Sequence, residues 1–118
     1  MKYMLLIHGD EAQRQAASAE DSQKLLAVYM AYTQAMKDAG VYLAGDPLQP
    51  STTGASVRVR DGKTQVLDGP YAEAKEQLAG YYLVDTPDMD AALAWAARCP
   101  GASHGTMEVR PLWDYHIG

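Results

Sequence analysis

The chain has 118 residues, enough for one folded domain. Its 47% hydrophobic and 21% charged side chains exclude a disordered or low-complexity protein. A formal charge of −5 leaves no basic footprint, which argues against nucleic acid or an anionic membrane as partner. A single cysteine, Cys99, excludes an internal disulfide and any multi-cysteine metal site.

No stretch of about 18 apolar residues occurs, and MKYMLLIHGDE meets charge too early for a signal peptide, so one cytoplasmic domain spanning 1–118 is expected. KYMLLIH, residues 2–8, predicts a strand that is apolar at every position from Tyr3 to Ile7, which requires cover on both faces. GDEAQRQAASAED then reads as loop, with Ser18 and Asp21 spaced as a capping box for the helix that follows. Leu25, Tyr29, Tyr32 and Met36 fall on one helical face, and Gly40 suits a left-handed cap, giving a helix over about 21–39.

VYLAG predicts a second strand, ended by the bend DPLQPSTTG. SVRVR and KTQVL flank Asp61-Gly62, a dipeptide suited to a type I′ turn because both central positions there need positive φ. A hairpin results. DGPYAEAKEQ is a break in which AEAKEQ can make one helical turn, and GYYLVD resumes as a strand apolar on both sides. Thr86-Pro87-Asp88 is expected to start a second helix with Thr86 as cap, its alanines lying close to a sheet, and Pro100-Gly101 ends it. TMEVRPLW is the closing strand. The order is a ferredoxin-like split βαβ arrangement of the α+β class with an added hairpin. Two helices cover one sheet face, so a second copy, packed sheet to sheet as a two-fold homodimer, is expected on the other.

The segments MKYMLLIHGDE, AGDPLQP, VRVRDGKTQVLDGPYAEAKEQLAGYY and ALAWAARCPGASHGTMEVRP together resemble the YCII-related family, in the branch named for its DGPF motif. The resemblance implies a bacterial dimeric α+β barrel of mostly unassigned biochemistry. Muconolactone-isomerase-like and dehalogenating enzymes share that barrel, and this branch is often associated with extracytoplasmic-function sigma factors. Two positions depart from the pattern: the motif's Phe is Tyr71, and the usual Tyr of LLIYGDE is His8. The His on the first helix suggested as half of a catalytic pair in the wider family has no counterpart here, since Tyr29 and Tyr32 are the ring-bearing residues of that helix.

Several side chains invite chemistry. Asp68 stands at a strand end before Gly-Pro, where it either accepts turn amides or serves as a rigid carboxylate base. Glu73, Lys75 and Glu76 make either a solvated charged turn or the rim of a site. Two carboxylates are too few for an oxygen-ligand metal site, and no metal or cofactor is expected. His8 ends the first strand beside Asp10 and Glu11; His104 and His116 read as surface residues. Tyr81 and Tyr82 point to opposite faces as packing residues. The expected site is therefore a cleft lined by His8, Asp68 and Glu73 as acid–base groups, with Tyr29, Tyr32, Tyr71, Lys75 and Glu76 contacting a small molecule. Cofactor-independent proton transfer is one expected activity. A non-enzymatic sensor working beside a sigma factor is the other. Without a P-loop, dinucleotide fingerprint or HExxH, those enzyme classes fall away.

Overall fold

The computed structural model describes residues 1–115, so the expectation for His116 lies outside the described residues. Eight residues, Lys2–Gly9, form β1, which is followed directly by a short helix α1 (Glu11–Ala16) and the long α2 (Ala19–Asp38). Next come β2 (Tyr42–Pro47), a 3-10 turn at Ser51–Thr53, and the hairpin β3 (Ala55–Arg60) and β4 (Lys63–Asp68). The chain closes with β5 (Gln77–Asp85), α3 (Met89–Arg98), a single turn α4 (Gly101–His104) and β6 (Thr106–Pro111).

The main sheet is antiparallel in the order β2-β5-β1-β6, while β3 and β4 pair only with each other. This is the α+β split βαβ order, and it puts the two strands that are apolar on both sides, β1 and β5, in the centre. Register explains which residues make the core: Tyr3 faces Val84, Leu5 faces Tyr82 and Ile7 faces Gly80, all on the helix-covered side. Tyr3, Leu5, Ile7, Tyr82 and Val84 join Tyr32, Met36, Ala92, Ala96 and Cys99 in one cluster. Met4, Leu6, His8, Tyr81 and Leu83 alternate onto the opposite, open face.

The chain contains no phenylalanine, and tyrosine fills the large core positions. Each buried hydroxyl therefore needs a partner. Tyr32 donates to the Trp95 carbonyl at 2.7 Å. Thr33 donates to the Tyr29 carbonyl at 2.9 Å, so in the 2.8 Å bond between Thr33 and Tyr82 the phenol is the donor. Tyr32 meets Tyr82 edge-on with ring centroids 5.5 Å apart.

Three local expectations are corrected. Residues 11–16 are helical rather than loop, because the Asp10 carboxylate caps the amides of Ala12 and Gln13. The third helix starts at Asp88, whose carboxylate accepts from Ala91 N, while the Thr86 hydroxyl donates to the Asp88 carbonyl instead of capping. AEAKEQ makes no helical turn: Glu76 accepts from the Thr106 hydroxyl and Gln77 from the Glu11 amide, and these tertiary contacts override the local helix preference.

The hairpin turn matches its sequence signal, with φ of 53° at Asp61 and 74° at Gly62. Val57 lies opposite Val66, and Val59 opposite Thr64. Val57, Val59 and Val66 are all exposed, at 68%, 58% and 65% respectively. The described residues measure 48 × 43 × 20 Å, with a radius of gyration of 16.2 Å. A compact domain of this length would give about 13 to 14 Å.

Candidate functional site

The residues singled out in the sequence do not meet in one cleft. His8 sits on the open sheet face, where its Nε2 lies 3.1 Å from Glu108 Oε1 on the neighbouring strand. Glu76 is close by in register: its carboxylate accepts from the Thr106 hydroxyl at 2.7 Å, and Thr106 pairs with His8 across β1 and β6. Asp68 is exposed at the foot of the hairpin. The turn after it is held instead by Gly69, at φ 83°, whose amide donates to Gly54 O at 2.7 Å and whose carbonyl accepts from the Ser56 hydroxyl at 2.8 Å. Tyr71 is 86% exposed, and Glu73 and Lys75 are exposed beside it.

The two tyrosines of α2 part company. Tyr32 is buried in the core. Tyr29 lines a groove of about 340 Å³ that runs between α2 and the β2–β5 edge of the sheet. Asp68, Tyr71, Glu73, Lys75 and Glu76 stand outside this groove. One wall is α2, which presents Leu26, Met30, Thr33 and Lys37 at intervals of four, three and four. The floor is Gly45, Ala79 and Gly80, small residues that leave volume where side chains would fill it. Gly45 is required by packing, since a Cβ there would stand 2.5 Å from the Tyr82 ring. Gly80 is required by the backbone, its Cβ position lying 2.9 Å from Asp46 O. A smaller recess of about 50 Å³ adjoins at Ile7 and Ala79 and is lined by Arg14, His104 and Gly101.

The phenols along the groove are held neutral. Burial pushes the Tyr29 hydroxyl up to about 12, aided by its contact with the Cys99 thiol. Tyr82 is raised as well, mainly by burial. Burial also raises Cys99 itself, which keeps the thiol protonated and unreactive. On the open face, the Tyr81 hydroxyl donates to Asp46 Oδ2 at 2.8 Å, and that bond raises the phenol. A phenol near 12 is a poor proton carrier at neutral pH.

Sequence reasoning missed Glu11 and Gln77. The Glu11 carboxylate accepts from both the amide and the hydroxyl of Ser51, the latter at 2.8 Å, and so ties α1 to the 3-10 turn. Gln77 accepts from Glu11 N at 3.0 Å and donates to Ala74 O, which adds the segment before β5 to the same knot. Two of the stretches that carry the family resemblance, MKYMLLIHGDE and the long central one, are thereby joined at one end of the sheet. The available signal was Asp10 followed three residues later by Gln13, a capping pattern that starts α1 and aims Glu11. Among the described residues no cluster of three or more His, Cys, Asp or Glu side chains has the placement to hold a metal ion. No helix among them is long and apolar enough to cross a membrane.

The sequence model for the YCII-related domain matches residues 1–116. The chain is also 38% identical, over 120 aligned positions, to an uncharacterised protein of Rhizobium meliloti (strain 1021); the alignment covers 100% of this chain and 97% of that relative.

Proposed function

We propose, for a chain that belongs to the YCII-related family, that it works as a small homodimer binding one small organic molecule per protomer in the groove under α2. The observation that carries this reading is the groove itself. Its roughly 340 Å³ falls in the range of small-ligand sites, its walls are mainly apolar, and a few convergent polar groups line it, which is the usual composition of such sites. The dimer rests on two uncovered apolar surfaces, the sheet face of Met4, Leu6 and Leu83 and the ribbon of Val57, Val59 and Val66. Both are of the kind that a second copy buries.

The test uses a residue at the groove wall that makes no core contact. Gln34→Trp puts an indole into the groove while removing only an exposed bond to Asp38. Metabolites that raise the melting temperature of the wild type are expected to lose that effect in the variant. An unchanged shift in Gln34→Trp would place the ligand elsewhere.

A second reading is carried by the His8–Glu108 pair. A carboxylate 3.1 Å from an imidazole nitrogen orients the ring as a general base is oriented, and this pair sits on the open face that a second copy would enclose. Cofactor-independent proton transfer would then occur between the protomers, away from the groove. His8→Asn distinguishes the two: it abolishes turnover if the imidazole moves a proton and leaves groove binding intact.

A further inference from the structure

We infer that the groove selects a small amphipathic organic acid, with the carboxylate anchored by Lys37 and the apolar body lying against Met30 and the Ala79–Gly80 floor. This deepens the reading of the groove as a ligand site and rests on it.

The inference comes from an inventory of donors and acceptors. Thr33 spends its proton on the Tyr29 carbonyl and Tyr82 spends its own on Thr33, so these hydroxyls turn lone pairs, not protons, toward a guest. The Gln34 amide is engaged with Asp38 at 2.8 Å. Asp46 is occupied by the Tyr81 hydroxyl. The Lys37 ammonium is, among the described residues, the one cationic donor lining the groove. Among the described residues it forms no salt bridge and sits 5.1 Å from the centroid of the Tyr42 ring, an arrangement that fixes its position and leaves its outward N–H bonds open.

A lysine in the last turn of a helix has an ordinary explanation, the capping of free carbonyls. That need is already met here. Ala39 N donates to Ala35 O, Val41 N to Met36 O and Gly40 N to Lys37 O, all at 3.0 to 3.1 Å. The ammonium is thus surplus to the helix end and aligned with the wall that faces the groove. The rest of the wall is apolar: Met30 and Leu26 are 65% and 59% exposed at the lip, two and three helical turns from Lys37 and on the same side of α2. A charged head beside an apolar body is the ligand that such a wall fits. The protein's overall charge of −5 repels anions generally, so a local cation is what an acid would need in order to bind here.

The experiment is a set of amide chemical-shift titrations with matched pairs: benzoate against benzamide, and cyclohexanecarboxylate against its carboxamide. The acids are expected to move the amides of Thr33, Lys37, Ala79 and Gly80 and to bind more tightly than the neutral partners. Lys37→Gln is expected to weaken the acids by about fivefold to tenfold, and Lys37→Arg to keep them, as loss and retention of one charge-assisted bond predict. Acid and carboxamide binding equally, or Lys37→Gln leaving the acids unchanged, overturns the anion selectivity and leaves the groove standing. A loss at Arg14→Gln in place of Lys37→Gln overturns the assigned anchor. If none of the four compounds moves a groove amide, the groove reading and the selectivity fall together.

Discussion

The four-stranded body and the β3–β4 hairpin are built from the same kinds of residues and reach opposite outcomes. In the body, alternation places Tyr3, Leu5, Tyr82 and Val84 under two helices, and each apolar side chain is buried by contacts from distant parts of the chain. In the hairpin the same alternation sets Val57, Val59 and Val66 on one face with nothing above them. A two-stranded ribbon alone is marginal in water. The hairpin is therefore shaped by its turn and by Gly69 and Ser56 at its foot, while its apolar face stays exposed.

This contrast breaks most visibly in the core. Leu5→Ala, at a fully buried position in the central strand, is expected to cost about 2 to 5 kcal/mol in urea unfolding, enough to threaten a domain of this size. A loss below about 1 kcal/mol would mean that the body is not the stability centre. Tyr32→Phe keeps the ring and strands the Trp95 carbonyl, and is expected to cost about 1 to 2 kcal/mol without altering the fold. An unchanged denaturation midpoint would show that water replaces the phenol there.

Alkaline pH gives a smaller and graded effect. The Tyr29 hydroxyl is raised from 10 to about 12, so its neutral form is favoured in the folded state. That contribution is complete below about pH 10 and is lost as pH climbs through about 12. Melting temperature should accordingly be insensitive to this group up to pH 10 and fall above it, with Tyr29→Phe flattening the decline; an unaltered slope in the variant would rule the group out. Smallest of all is Val66→Thr in the hairpin, expected to shift protomer stability by less than about 0.5 kcal/mol because the side chain is already in water. Sedimentation of the same variant sharpens the comparison: if a second copy covers the ribbon, self-association weakens even though unfolding barely changes.

What could be read from the sequence follows the range of the forces involved. Asp61-Gly62 announced its turn because positive φ is a property of two residues. Ser18 announced the start of α2 for the same reason, accepting from Asp21 N as expected. β1 and β5 were legible as central because a strand buried on both sides is apolar throughout. The failures lie where distant residues decide. AEAKEQ has every local reason to coil, yet Gln77 and Glu76 answer to partners brought to them by other elements. Motif density pointed to Asp68 and Glu73, but much of that motif shapes a turn and a knot at the end of the sheet. The groove left only Tyr29 as a trace, because its floor is made of small residues that announce nothing until α2 lies above them.

The tyrosine-filled interior also equips the molecule with its own optical gauge. Trp95 stands 6.3 Å from the Tyr32 ring and 4.2 Å beneath the Arg98 guanidinium, while Trp113 is 82% exposed near the end of the described chain. Excitation absorbed by the interior phenols will pass to the first indole and fade when that cluster separates. The second indole reports only on the solvent around it. Emission spectra from Trp113→Phe would thus follow the interior alone, with no label added.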